Sequence, residues 1–226
     1  MPTSTMEKCR LVTRSDFDGL VCAALLKELG ILDEIKFVHP KDMQDGLVEL
    51  SDRDITTNLP YVPGVRLAFD HHESESLRLA DGAADNHIII PGALSAARVV
   101  YDYFGGAERF TQVGESLMEA VDKADSALFS VDEIKTPTGW ILLSFLMDPR
   151  TGLGRFRDFR ISNYQLMMEL IDACLECSVD EVLEMPDVVE RVTLYREHAV
   201  AAQEQLLARS TVHGNLVVLD LREDEV

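Results

Sequence analysis

Between residues 9 and 125, short apolar runs alternate with longer helical ones, and no other feature of the chain limits its fold as strongly. "CRLVTR" (9–14) reads as a brief buried strand, followed by a carboxylate-rich turn, "SDFDG". "LVCAALLKELG" (20–30) has the apolar spacing of a helix and stops at Gly30, a common helix terminator. "EIKFVH" is a second strand, "DITTNLPY" around residue 55 a third closed by Pro60, "VRLAFD" a fourth and "HIII" (87–90) a fifth. "LSAARVVYDYFG" (94–105) and "TQVGESLMEAVDKAD" (111–125) read as helices. Strands that alternate with helices pair in parallel, so residues 1–135 are expected to form a doubly wound, mainly parallel α/β sheet.

After about residue 135 the pattern becomes helical, in "GWILLSFLMD", "ISNYQLMMELIDACLEC" and "PDVVERVTLYREHAVAAQEQLLARS". Residues 136–212 are therefore expected as a helical extension. Its last helix is long and amphipathic, which suits either a homodimer surface or packing within the chain. "GNLVVLDLRED" reads as a strand with no partner downstream. Residues 213–226 are expected to begin a truncated second domain or to add an edge strand to the sheet.

Composition sets the chemical class. The 226 residues suffice for one large domain or one domain with a small second one, and 46% hydrophobic content with a mean hydropathy of +0.00 is that of a soluble globular protein. No apolar run approaches the ~18 residues of a membrane span. The N-terminus, "MPTSTMEKCR", lacks the apolar core of a signal peptide, so a cytoplasmic location is expected. Of the four cysteines only "CLEC" (Cys174, Cys177) has suggestive spacing, and it lies inside a helical stretch, where a structural role in a reduced protein is the simpler reading. Forty acidic against 21 basic residues leave a net charge of −19. Such a surface repels phosphate backbones, which excludes long DNA or RNA while a local basic patch still admits a small or short anionic substrate.

In open parallel sheets ligands bind at the carboxyl ends of the strands. Arg14, Asp16 and Asp18 fall at the end of the first expected strand, Asn58 at the third, and Asp70, His71 and His72 at the fourth. Asp122 and Asp125 close a later helix. Clustered carboxylates without a cation repel and raise each other's pKa, whereas a mixed carboxylate and imidazole set suits Mn²⁺, Mg²⁺ or Zn²⁺. Metal-assisted hydrolysis of a phosphate ester is the reaction such a set favours. Taken singly, "DFDG" is a capped turn and "DHH" a surface cluster; their order and separation together argue for a site.

These residues resemble the DHH phosphoesterases, which include inorganic pyrophosphatases, exopolyphosphatases, oligoribonucleases and single-strand exonucleases. The resemblance covers roughly residues 9–130 and is nearest to the exopolyphosphatase-related members. "RSDFDG" stands where the family has H-x-D-x-D-G, Asp70-His71-His72 matches the namesake motif, and Asp125 in "ADSALF" matches the last metal-binding aspartate. The resemblance implies a divalent cation, Mn²⁺ or Mg²⁺, held by Asp18, His71 and Asp125, with Asp16 left from a second site. It also implies that His72 contacts substrate phosphate and that Asp70 orients the histidines.

Two departures from the family pattern bear on function. Arg14 replaces the first histidine, and Asn58 stands where a bridging aspartate is usual; Asp54 comes at the start of its strand and is no substitute. An arginine cannot ligate a metal, so Arg14 is expected to take the place of a lost cation, pairing with Asp16 and offering positive charge to a phosphate. The sequence thus points to a metal-dependent phosphoesterase acting on polyphosphate, a nucleotide or a short oligonucleotide. The alternative is a catalytically degenerate nucleotide- or phosphate-binding protein of the same fold. Arg150, Arg155, Arg157 and Arg160 form a basic run, read as a phosphate clamp through Arg155 and Arg157 or as partners for the many acids. His39, before a proline at the end of the second strand, reads as structural or as a residue of the cleft.

Overall fold

The computed structural model describes residues 7–78, 84–148 and 158–222. Five strands form one sheet: β1 (Cys9–Thr13), β2 (Leu32–Phe37), β3 (Asp54–Thr57), β4 (Leu67–Asp70) and β5 (His87–Ile89), in the order β2-β1-β3-β4-β5, every neighbouring pair parallel. The chain leaves β1 for β2 on one side and returns to place β3 on the other. That reversal opens a crevice beyond the carboxyl ends of β1 and β3. The expected doubly wound sheet is present.

Helix α1 (Phe17–Glu28) explains why "LVCAALL" is apolar all round: every residue from Phe17 to Leu26 is buried. A helix apolar on all sides must be covered on all sides. The sheet lies on one flank, and α4 (Ala96–Tyr103), α5 (Glu115–Ser126) and α8 (Asn163–Glu176) pack on the others. Leu11, Leu25, Val121, Leu143 and Leu170 belong to the same hydrophobic core, so the helical stretch after residue 135 packs into the layer that covers the sheet. Among the described residues the opposite face carries a small cluster, Val12, Met43 and Leu59, under the short α2 (Pro40–Gln44).

The remaining helices are α3 (Glu73–Arg78), α6 (Val131–Lys135), α7 (Gly139–Met147), α9 (Val179–Glu184) and α10 (Pro186–Arg209). Three of the later ones start from the same local device. Ser130, Ser162 and Ser178 each accept from the backbone N–H three residues on, while Glu133, Gln165 and Glu181 reach back to the serine amide. Cys174 lies buried in α8 and Cys177 caps it, both unbonded. No helix among the described residues is long and apolar enough to cross a membrane.

Beyond α10, β6 (Ser210–His213) and β7 (Leu216–Leu219) form an antiparallel hairpin across Gly214, whose φ of 63° suits glycine. The strand expected near residue 216 therefore pairs with β6 and not with the main sheet, because the preceding residues supply a closer edge.

At the amino end of the sheet, Arg10 grips Asp54 with two hydrogen bonds of 2.7 and 2.8 Å. Asp54 is fully buried, and although burial opposes ionisation, Arg10 and the Ser51 amide hold its carboxyl below the usual carboxylate range. A depressed folded pKa stabilises the fold above the unfolded value and loses that contribution as pH falls through the folded one. Arg10→Met is therefore expected to lower stability by about 3 kcal/mol at neutral pH, through the uncompensated buried carboxylate. In urea unfolding, the gap to wild type narrows as pH falls below about 4, the ordinary aspartate value, and on through the depressed value of folded Asp54. A gap that stays constant with pH would show that Arg10 acts through packing alone.

Candidate active site

The turn after β1 is shaped by Asp16 and Gly19. Asp16 is the N-cap of α1, its Oδ1 accepting from the Gly19 amide at 3.0 Å. A Cβ at residue 19 would lie 2.1 Å from the Arg14 carbonyl oxygen, so glycine is needed here for close approach. Behind the turn, the Thr57 hydroxyl donates to Thr13 Oγ1 at 2.7 Å, and that hydroxyl donates to the Thr57 carbonyl at 3.2 Å. The ends of β1 and β3 are thereby locked together.

Arg14 Nε lies 3.0 Å from Asp16 Oδ2, the pairing its position suggests. Asp18 is 2% exposed and turns inward, with Oδ1 accepting from Ala97 N at 2.8 Å and Oδ2 from Ala96 N at 3.3 Å, at the amino end of α4. Burial first, then the nearby charges of Asp125 and Asp16, push its carboxyl well above the ordinary range. Asp16 is raised too, by burial that the Arg14 guanidinium only partly offsets.

At the end of β4, Asp70 is buried, and its Oδ1 accepts from the amides of His71 (2.8 Å) and His72 (3.2 Å) and from His72 Nδ1 (2.7 Å). Asp70 thus orients the His72 ring, whereas His71 is set by its Nδ1 against the Ala93 carbonyl at 3.1 Å. The strand has ended, so alternation no longer separates the two rings; their centroids are 4.5 Å apart. His71 Nε2 stands 2.7 Å from Asp125 Oδ2 but is not aligned for a hydrogen bond. Burial disfavours a charged ring, yet Asp125 and then Asp18 outweigh it and push His71 up to about 9.

Asn58, at the end of β3 between the ends of β1 and β4, is buried with φ 55°, and neither its side-chain oxygen nor its nitrogen has a partner. Asparagine tolerates this left-handed conformation better than most residues. Asp122, one turn before Asp125, does not reach the site: it accepts from Ser95 at 2.7 Å and from Arg98 at 2.7 and 2.9 Å. Arg160 pairs with Asp187 on α10, its Nε donating at 2.9 Å. Arg150, Arg155 and Arg157 lie outside the described residues.

Arg14, Asp16, His71, His72 and Asp125 together line a cavity of about 370 Å³. Its far wall was not legible as part of a site: Phe129 and Phe145, edge to face at 5.0 Å, with Asp148 at the end of α7. Asp125 and Asp148 lie within electrostatic reach of Asp16, and Asp125 and Asp16 within reach of Asp18, with the Arg14 guanidinium beside Asp16. With His71 Nε2 converging on Asp125 beside these carboxylates, the donor set fits a divalent cation. Among the described residues, the three donor groups within 4.8 Å of one another are those of Asp70, His71 and His72; Asp18 stands further back, on the α4 amides.

No family model matches the chain, and no curated protein does. Among solved structures, one described as "pGpG-specific phosphodiesterase - PggH from Vibrio cholrae" superposes with a TM-score of 0.88 over 97% of this chain and 70% of its own, at 57% identity. The chain belongs to the family of that phosphodiesterase. An identity of 57% over nearly the whole chain carries the shared sheet and the helices covering it. A second structure, an uncharacterized protein from Helicobacter pylori G27, aligns over 94% of this chain and 74% of its own at 11% identity with a TM-score of 0.38, a likeness too loose to define a fold.

Proposed function

We propose that this chain is a metal-dependent phosphodiesterase that hydrolyses a short, 5′-phosphorylated dinucleotide of the pGpG type. The observation that carries this reading is the 57% identity to a pGpG-specific phosphodiesterase across 97% of the chain. The cavity supports it independently, because carboxylates, imidazoles and the Arg14 guanidinium line it at the carboxyl ends of β1 and β4. The net charge of −19 fits a small substrate better than a long nucleic acid.

In this reading Asp18, His71 and Asp125 hold a divalent cation, Mn²⁺ or Mg²⁺, and Asp16 stands beside them. Drawing Asp18 into that set takes a side-chain shift away from the α4 amides. When bound, the cation supplies Lewis acidity and a water of lowered pKa. Arg14 contributes a permanent positive charge to a phosphoryl oxygen, in a position kept by its contact with Asp16. His72, held through Nδ1 by Asp70, presents the opposite ring nitrogen for a hydrogen bond to the phosphate. Phe129 and Phe145 narrow the cavity and displace water from the reacting group.

Incubation with pGpG and Mn²⁺ or Mg²⁺ should release GMP, resolved by ion-exchange chromatography, and a chelator should stop the release; polyphosphate should turn over at least about tenfold more slowly. The absence of metal-dependent GMP release would leave the second reading, a nucleotide-binding protein of the same fold. Asn58 favours that alternative, since it offers no carboxylate where a second cation would be shared.

A further inference from the structure

Beside the active-site cavity runs a larger groove of about 790 Å³, and Arg14 and Asp16 belong to the walls of both. Arg14, Lys36 and His39 line this groove together with Asp16 and Asp42. The register explains the grouping. Lys36 on β2 is opposite Val12 on β1, and Arg14 lies just past the end of β1, so both come to the same end of neighbouring strands and line one groove. The separation is about 5 Å across the strands and ~7 Å along them, the reach of a single nucleotide.

Lys36 differs from the basic residues around it. Arg10 pairs with Asp54, Lys41 with Asp45, Arg53 with Asp33 and Arg66 with Glu7. Lys36 is half-buried, and its side chain makes no ion pair or hydrogen bond among the described residues, in a chain with 40 acids to 21 bases. Where anions are in excess, an ammonium left without one in a groove wall is placed for an anion from outside. His39 adds a donor. Its Nδ1 accepts from the Lys41 amide at 3.1 Å, which leaves the proton of a neutral ring on Nε2. His39 is thus both the structural cap of α2 and a residue of the cleft.

We propose that the Lys36–His39 groove is the subsite for the terminal 5′-phosphate of the substrate, one nucleotide from the phosphodiester held at Arg14 and His72. The assignment rests on the phosphodiesterase reading and deepens it: the groove makes the enzyme select dinucleotides that carry a 5′-phosphate. Phe37, Leu47 and Val48 give the groove an apolar side against which the sugar and base of the same nucleotide can lie.

The test compares kcat/KM for pGpG with that for GpG, which lacks the 5′-phosphate, in wild type, Lys36→Met and Lys36→Arg. Wild type should prefer pGpG by about tenfold or more, as expected of a charge-assisted hydrogen bond. Lys36→Met should bring the two substrates within about threefold by raising KM for pGpG, and Lys36→Arg should retain the preference. A wild-type ratio that persists in Lys36→Met overturns the subsite. If wild type cleaves neither dinucleotide, the phosphodiesterase reading fails by itself, and calorimetry of GMP against guanosine decides the groove. Binding of GMP that exceeds that of guanosine and is lost in Lys36→Met supports the subsite, and equal binding of the two refutes it.

Discussion

Asp18→Asn is expected to reduce pGpG hydrolysis by about a thousandfold, more than the 10–100-fold typical of residues one step removed from a metal, and yet to raise the melting temperature in a chelator. Both effects follow from where the carboxylate sits. Asp18 is 2% exposed and faces the charges of Asp125 and Asp16, and its carboxyl is driven well above the ordinary range by burial and those neighbours. The amide removes that charge and keeps an acceptor for the Ala97 N–H, now at 2.8 Å, at the loss only of the longer 3.3 Å bond from the Ala96 N–H. Relief of about 1 kcal/mol corresponds to roughly 2–4 °C in a chain of this size. Mn²⁺ should raise the melting temperature of wild type, because it binds only the folded state, and should leave the variant nearly unmoved. Scanning fluorimetry with and without Mn²⁺ reads both. A variant that melts below wild type in chelator and still responds fully to Mn²⁺ would reduce Asp18 to a helix cap.

Periodicity was enough to read the sheet, although β3 and β4 are joined by a loop without a helix. The same signal marked residues 20–30 as a helix, but its central place came only with the structure, where every residue from Phe17 to Leu26 is buried. The site was legible where it is local in sequence. Arg14 and Asp16 share a turn, Asp70 to His72 share a strand end, and both groups fall at the carboxyl edge. What depends on packing was hidden. Phe145 and Asp148 come from α7, which periodicity reads as the beginning of a separate helical stretch, and only its contact with α5 makes it a cavity wall. Asp122 and Asp125 look equivalent three residues apart on one helix, but one turn decides between a structural bond to Arg98 and the cavity. The groove around Lys36 was equally silent, since a lysine on a strand says nothing about whether an acid lies within its reach.

Changing at once both departures from the DHH pattern that the sequence resembles, Arg14→His with Asn58→Asp, should raise bound Mn²⁺ from one to two ions per chain, measured by plasma emission after dialysis. Arginine cannot give up its proton, so at position 14 it can only imitate a cation and never hold one. Its contact with Asp16 at 3.0 Å is the pairing that such an imitation requires. Histidine there would free Asp16 and add a nitrogen donor. At position 58, aspartate keeps the left-handed backbone of φ 55° that asparagine also tolerates, so the fold should persist. In chelator, however, it would bury a carboxylate where both side-chain atoms of Asn58 already lack partners, at a cost of about 3 kcal/mol. Mn²⁺ should restore that stability, so the double variant should show a larger metal-dependent rise in melting temperature than wild type. Its rate on pGpG separates two histories of the site. A rate similar to wild type means that Arg14 already performs the work of the second cation. Hydrolysis found only in the double variant means that the natural chain binds its nucleotide without cleaving it. Two fully occupied ions in the wild type would remove the premise altogether, because Arg14 would then have replaced nothing.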